Sequence, residues 1–93
     1  MGPQKHRIYL LDLLKKHNVL NVLDVGCGTG PIYELIESGN YPFAYKGVDY
    51  SYAMINIAKN HFRDGDFEVQ DARALMESDN AWDCVLLMHC LDH

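Results

Sequence analysis

The sequence contains few cysteines, few basic residues and no long apolar run, and each scarcity excludes a class of protein. The three cysteines, Cys27, Cys84 and Cys90, are odd in number and form no C-x-x-C pair, which indicates reduced thiols rather than a disulfide framework. Eight Lys and Arg against 13 Asp and Glu give a net charge of −5, which disfavours nucleic acid and anionic membranes as partners. No apolar run reaches the length of a membrane span. We therefore expect a cytoplasmic protein that does not bind membranes.

The apolar residues predict an α/β domain of 93 residues that starts with a helix. Helical spacing of leucines predicts an amphipathic helix over residues 3–17, which would cover the sheet or the mouth of a ligand site. Strands are predicted at residues 22–25 and in the segments "YKGVDYS", "DFEVQD" and "WDCVLLMHCLDH". Helices begin at Pro31 and after Ser51, and "ARALMES" forms a short helical turn. Alternating strands and helices imply a parallel sheet with right-handed crossovers.

The fourth strand is apolar on both faces from Cys84 to Met88, as is typical of a strand in the middle of a parallel sheet. The sequence stops soon after it. We therefore expect a domain truncated after strand four, or one that another chain completes. An uncovered apolar edge favours strand pairing with a second copy, so a homo-oligomer through this edge is expected.

A glycine-rich turn, "DVGCGTGP", joins the first strand to the next helix. Gly26, Gly28 and Gly30 allow positive φ and let a ligand lie directly on the backbone. The turn fits the dinucleotide fingerprint G-x-G-x-x-G poorly, because Pro31 takes the place of the third glycine. Asp24 adds a carboxylate beside the turn, which suits a cationic ligand better than a diphosphate.

Two further carboxylates follow the next two predicted strands. Asp49 ends strand two, and its two oxygens can accept from both hydroxyls of a ribose. Asp71 ends strand three, where it could accept from an adenine amino group or cap the helical turn that follows. The carboxyl ends of parallel strands are where open α/β sheets bind ligands.

The segments "VLDVGCGTG", "GVDYSYAMINIAK", "FEVQDA" and "WDCVLLMHCLDH" resemble the successive motifs of class I S-adenosylmethionine (SAM)-dependent methyltransferases. They occur in the family's order and spacing, and they cover most of the chain from about Asn21 onward. The resemblance implies a Rossmann-like three-layer sandwich with a parallel sheet of strand order 3-2-1-4. It covers only the cofactor-binding part, because the family's later strands are absent.

The resemblance also implies roles for single residues. Asp24 and the glycine turn would line the methionine moiety of SAM, and Asp49 would bind the ribose. Tyr50 would lie against the adenine, whose amino group Asp71 and the backbone of Ala72 would reach. Met88 and His89 would approach the transferable methyl. The implied cofactor-binding set is Asp24, Gly26, Cys27, Gly28, Gly30, Asp49, Tyr50, Asp71, Ala72, Met88 and His89.

Methyl transfer from SAM to an unidentified acceptor is thus the predicted activity. His89 is the candidate for a general base, if the acceptor requires one. His89, Cys90, Asp92 and His93 could be taken for a metal site, but no second ligand cluster accompanies them, and no metal is expected. The alternatives are a non-catalytic SAM-binding or sheet-completing subunit and an NAD-dependent oxidoreductase.

The remaining tyrosines and the lysines of the first helix receive simpler interpretations. Tyr41, Tyr45 and Tyr52 are predicted to be packing or surface aromatics rather than substrate contacts. Lys15 and Lys16 are predicted to lie on the solvated face of the first helix.

Overall fold

The computed structural model describes residues 3–71 and 82–87. Within them, an initial helix is followed by strands and helices that alternate up to the third strand. The elements are α1 (Pro3–Lys16), β1 (Asn21–Val25), α2 (Pro31–Ser38), β2 (Ala44–Asp49), α3 (Tyr52–His61), β3 (Phe67–Val69) and β4 (Cys84–Leu86). The predicted helical turn "ARALMES" lies outside the described residues. No helix in the described ranges is both long and apolar enough to cross a membrane.

The four strands form one parallel sheet in the order β3-β2-β1-β4. The predicted order 3-2-1-4 is therefore confirmed. Strand β1 is central and pairs with β2 from Asn21 opposite Ala44 to Val25 opposite Val48. Because β1 and β2 end side by side, the turn after β1 and the turn after β2 meet at one edge of the sheet.

The described helices pack on one face of this sheet. Leu11 of α1 and Ile36 of α2 are buried against Val22 of β1. Ile55 of α3 belongs to a second buried cluster, which is rich in aromatic side chains. The opposite face carries its own buried cluster of Leu23, Val25 and Val48, against which Trp82 packs. Strand β1 is therefore buried on both faces, as its continuous apolar run predicts.

Helix α1 packs through a narrower face than its leucine spacing predicts. Leu11 is fully buried, and Leu10 and Leu14 pack partly against the same cluster. Ile8 and Leu13 belong to the same apolar pattern but are exposed to 42% and 39%. The helix is thus held mainly by one row of side chains against α2.

Side-chain hydrogen bonds fix β4 beside β1. The Leu20 N–H donates to Asp83 Oδ2 at 2.9 Å, and the Asp83 N–H donates to Asn21 Oδ1 at 2.7 Å. Among the described strands β4 has β1 as its neighbour, and the side chain of Val85 is 36% exposed. Association through this edge stays a prediction.

Candidate functional site

The turn from β1 to α2 takes its shape from three left-handed glycines. Gly26, Gly28 and Gly30 have φ of 77°, 59° and 97°, a region that side-chain-bearing residues adopt at a cost. A Cβ on Gly28 would meet no atom within 4 Å, so the space above it is open. A Cβ on Gly30 would lie 3.0–3.2 Å from the rings of Phe62 and Phe67. Gly28 therefore faces open space, whereas Gly30 allows α2 to pack closely on the core.

Backbone N–H groups of the turn donate to acceptors of the protein itself. The N–H groups of Gly26 and Cys27 donate to the Val48 carbonyl at 2.8 and 3.0 Å. The Gly30 N–H donates to the Cys27 carbonyl at 3.2 Å, which tightens the entry to α2. The turn is thus tied to the end of β2.

Asp49 is a buried carboxylate that accepts two backbone hydrogen bonds. Its Oδ2 accepts from the Gly28 N–H and its Oδ1 from the Ser51 N–H, both at 2.9 Å, and the residue is 6% exposed. The Ser51 hydroxyl oxygen then accepts from the Met54 N–H at 3.3 Å and caps α3, as predicted. Asp49 therefore links the glycine turn to the start of α3.

Asp24 is the second buried carboxylate at this edge, with 2% of its surface exposed. The Tyr45 hydroxyl donates to its Oδ2 at 2.7 Å. The Tyr45 ring packs against the rings of Tyr33 and Phe67, so the predicted packing role is confirmed. The hydrogen bond to Asp24 was not predicted, because only the parallel register brings these two residues together.

A cleft of about 400 Å³ lies over the turn. This volume falls in the range of small-molecule sites, roughly 300–1,000 Å³. Its walls come from the glycine turn, the start of α3 and helix α1. The lining residues are Arg7, Asp24, Gly26, Cys27, Gly28, Thr29, Pro31, Ile32, Asp49, Tyr50, Ser51 and Met54.

Arg7 is the cationic side chain among the described residues that line the cleft, and it was not predicted from the sequence. It stands four residues before the buried Leu11, so both lie on the inner face of α1. An arginine on the packing face of a helix is the signal that could have identified it. The expectation that the first helix covers the mouth of the site agrees with this position.

The other predicted site residues fall into two groups. Tyr50 lines the cleft and is 83% exposed, which leaves its ring available to a ligand. Asp71 is exposed just beyond β3 and is not among the described residues that line the cleft. The predicted roles of Ala72, Met88 and His89 concern positions outside the described residues.

The Cys27 thiol points into the core rather than acting as a reactive group. Burial, together with the nearby Asp24 and Asp49 carboxylates, raises the pKa of Cys27 to about 12, so the thiol stays protonated at neutral pH. The residue nevertheless lines the cleft. Within residues 3–71 and 82–87, no group of three or more His, Cys, Asp or Glu side chains could hold a metal ion.

A family model described as a methyltransferase domain matches residues 22–93. The match begins at the second residue of β1 and includes the described elements that follow it. The chain belongs to the methyltransferase domain family. The family predicted from the sequence motifs is thus confirmed, and the strand order agrees with it.

Proteins similar to this methyltransferase domain include a curated enzyme and a protein of known structure. It is 32% identical over 81 residues to the demethylmenaquinone methyltransferase of Thermotoga maritima, covering 87% of this chain and 35% of that protein. A crystal structure of a protein from Pyrococcus horikoshii OT3 superposes with a TM-score of 0.68 and 34% identity, over 91% of this chain and 42% of that one.

A third similar protein has a ligand in its structure. SAM-bound CalS10, an amino pentose methyltransferase from Micromonospora echinaspora, superposes with a TM-score of 0.64. The identity is 23%, over 78% of this chain and 31% of that chain, so this likeness concerns the fold. The methyltransferase domain described here spans about a third of the curated relative that it matches.

Proposed function

We propose that this chain binds SAM in the cleft over the glycine turn and serves the transfer of its methyl group to an acceptor. The observation that carries the proposal is the pair of buried carboxylates, Asp24 and Asp49, beside a turn that is left-handed at three glycines. Family membership and a SAM-bound structural neighbour support SAM as the ligand.

The geometry of the turn argues against a dinucleotide. Dinucleotide sites use the N–H groups of such a turn to hold a pyrophosphate. Here the Gly28 N–H donates to Asp49, and those of Gly26 and Cys27 donate to Val48. Two carboxylates lining the same cleft would also repel a diphosphate. A ligand that offers hydroxyls and a positive charge fits these acceptors better.

The residues of the cleft match the separate parts of SAM. The Asp49 oxygens lie at the end of β2, within reach of a ribose placed over Gly28, and each keeps further acceptor capacity beside its backbone hydrogen bond. Asp24 provides negative charge for the cationic methionine end, and Arg7 provides positive charge for its carboxylate. The exposed Tyr50 offers an aromatic surface to the adenine.

The sulfonium of SAM supplies an electrophilic methyl group with a good leaving group. The protein then needs to fix the donor, align an acceptor atom with the methyl carbon and keep water away. The described residues serve the first task, since buried carboxylates and a rigid turn hold their geometry without reorganisation. Asp71, Ala72, Met88 and His89 complete the proposed set, with His89 as the candidate base.

The acceptor is not part of the proposal, because this chain spans about a third of its curated relative. We propose the cytoplasm as its location. The alternative is a cofactor-binding subunit without activity of its own. It predicts binding of the same ligand but no methyl transfer.

Isothermal titration of the purified chain with SAM, S-adenosylhomocysteine (SAH) and NAD tests the ligand. We expect SAM and SAH to bind and NAD to bind far more weakly. A folded chain that binds NAD and not SAH would refute the proposal.

A second measurement separates the enzyme from the binding subunit. SAM with a labelled methyl group is offered with a panel of hydroxyl, amine and carbon acceptors, and label transfer is measured. Transfer to any acceptor supports methyltransferase activity of this chain. SAM binding without transfer across the panel would favour the non-catalytic subunit.

A further inference from the structure

Asp24 lies in a row of residues on the inner face of the sheet. The register places Asp24 of β1 opposite Gly47 of β2, with Tyr45 two residues earlier on the same face of β2. The Tyr45 hydroxyl reaches diagonally across the strands to Asp24 Oδ2, over a distance of 2.7 Å. The side chain of Tyr45 thus runs along β2 and over Gly47.

Gly47 is needed for this arrangement because a side chain at this position would have no room. Backbone conformation is not the reason, since Gly47 is not in the left-handed region. A Cβ at position 47 would lie 2.6 Å from the Tyr45 hydroxyl oxygen. It would also lie 2.9 Å from Phe67 Cδ1 and 3.0 Å from Cys27 Cβ. Any other residue at position 47 would therefore push the hydroxyl away from Asp24.

The Tyr45 hydroxyl keeps its proton at neutral pH and can donate it to Asp24. Burial, followed by the charge of Asp24 and the hydrogen bond to it, raises the pKa of Tyr45 far above its usual value. Its ring centroid lies 5.3 Å from that of Tyr33 and 5.9 Å from that of Phe67, which fixes its direction. Tyr45 is absent from the lining of the cleft and borders a separate groove with Tyr33.

We propose that Tyr45 is a positioning residue, which keeps the Asp24 carboxylate directed at the cationic methionine end of the cofactor, in space that Gly47 provides. This inference rests on the proposed function. Asp24 touches the cofactor, and Tyr45 acts only through Asp24. A carboxylate that a hydrogen bond already fixes loses little rotational freedom when a cation binds.

The test compares two ligands that differ only beyond the adenosine part. SAH carries the α-ammonium and α-carboxylate of an amino acid, whereas 5′-methylthioadenosine keeps the adenine, ribose and a thioether without them. We expect Tyr45→Phe to weaken SAH binding about tenfold, the low end for one charge-assisted hydrogen bond, and to leave binding of 5′-methylthioadenosine unchanged. Asp24→Asn should show the same selectivity, and Tyr45→Phe should add little in that background.

A matched control exists in Tyr41, whose hydroxyl also donates to an aspartate, Asp12, away from the cleft. Tyr41→Phe should leave the affinity for both ligands unchanged. Gly47→Ala provides a second variant, because it keeps the Tyr45 hydroxyl but displaces it, and it should reduce SAH binding selectively as well. Circular dichroism establishes which variants are folded.

The outcomes separate this inference from the proposed function. Wild-type chain that binds neither ligand refutes the proposed function and the inference with it. Wild-type binding of both ligands, with an equal loss of both in Tyr45→Phe, shows a purely structural role for Tyr45 and overturns the inference alone. Unchanged SAH affinity in Tyr45→Phe also overturns it, as does loss of folding in both Tyr45→Phe and Gly47→Ala.

Discussion

Gly28 and Gly30 are two residues apart in the same turn, yet their replacement by alanine should have different effects on ligand binding and stability. Both have positive φ, so an alanine at either position carries the cost of the left-handed region, about 1–2 kcal/mol. The Gly28 Cβ would enter open space in the cleft, whereas the Gly30 Cβ would meet Phe62 and Phe67 at 3.0–3.2 Å. Gly28→Ala should therefore affect the ligand, and Gly30→Ala should affect the fold.

The contacts set the expected sizes. Gly28→Ala should lower the free energy of unfolding by about 1–2 kcal/mol, from backbone strain alone. Gly30→Ala adds the overpacking of three aromatic carbons, which costs a further ~1–3 kcal/mol. For a domain of this length, each kcal/mol lowers Tm by about 4–8 °C. Gly30→Ala thus removes a large share of the ~5–15 kcal/mol typical of a small domain.

Binding should show the reverse order. The methyl group of Gly28→Ala occupies the space in which we place the cofactor, so SAH affinity should fall at least tenfold. Any folded fraction of Gly30→Ala should bind SAH with nearly native affinity, because its methyl group points into the core. Thermal unfolding followed by circular dichroism and titration calorimetry below Tm measure the two effects separately.

Two results would contradict this reasoning. Native SAH affinity in Gly28→Ala would show that the cofactor does not lie on the turn. If Gly30→Ala loses no more stability than Gly28→Ala, the aromatic side chains accommodate a methyl group without an increase in free energy.

Three further predictions concern the charged and titrating groups of the site. Asp49→Asn leaves one of two backbone N–H groups without an acceptor. Urea unfolding should therefore show a free energy of unfolding lower by ~1.5–3 kcal/mol, and SAH binding should weaken as well. Unchanged stability would exclude a role for Asp49 in tying the turn to α3. Arg7→Gln should weaken SAH binding about tenfold and leave binding of 5′-methylthioadenosine unchanged. The control Lys15→Gln, on the exposed side of α1, should change neither affinity. Equal losses of affinity for both ligands would argue against the cofactor carboxylate as the partner of Arg7. The Cys27 thiol ionises near pH 9 when unfolded but has a pKa of about 12 in the fold, so the unfolding free energy should decline as pH rises from 9 toward 12. Cys27→Ala should reduce this decline without abolishing it, because the pKa of the buried Tyr45 hydroxyl is also raised in the fold.

The sequence alone predicted the described helices and strands and their succession along the chain, because the decisive signals are local. Pro31 begins α2 and Ser51 caps α3 at the predicted positions. The alternation of strands and helices predicted the parallel sheet, whereas the strand order came from the family resemblance, and both are confirmed. The glycine turn was identified for the same reason, since a positive φ is a property of single residues.

Tertiary structure decided which groups meet. Asp49 was predicted as a ligand residue, but its hydrogen bonds to the turn and to α3 follow from the alignment of two strand ends. Helical spacing places Arg7 on the packing face of α1, but it reaches the cleft only because α1 folds back over the sheet. Tyr45 and Asp24 are 21 residues apart in the chain, and the register of two parallel strands, with a glycine between them, makes them partners. Such pairings depend on the sum of packing over the whole domain, which is why composition and periodicity predict the frame and not these contacts.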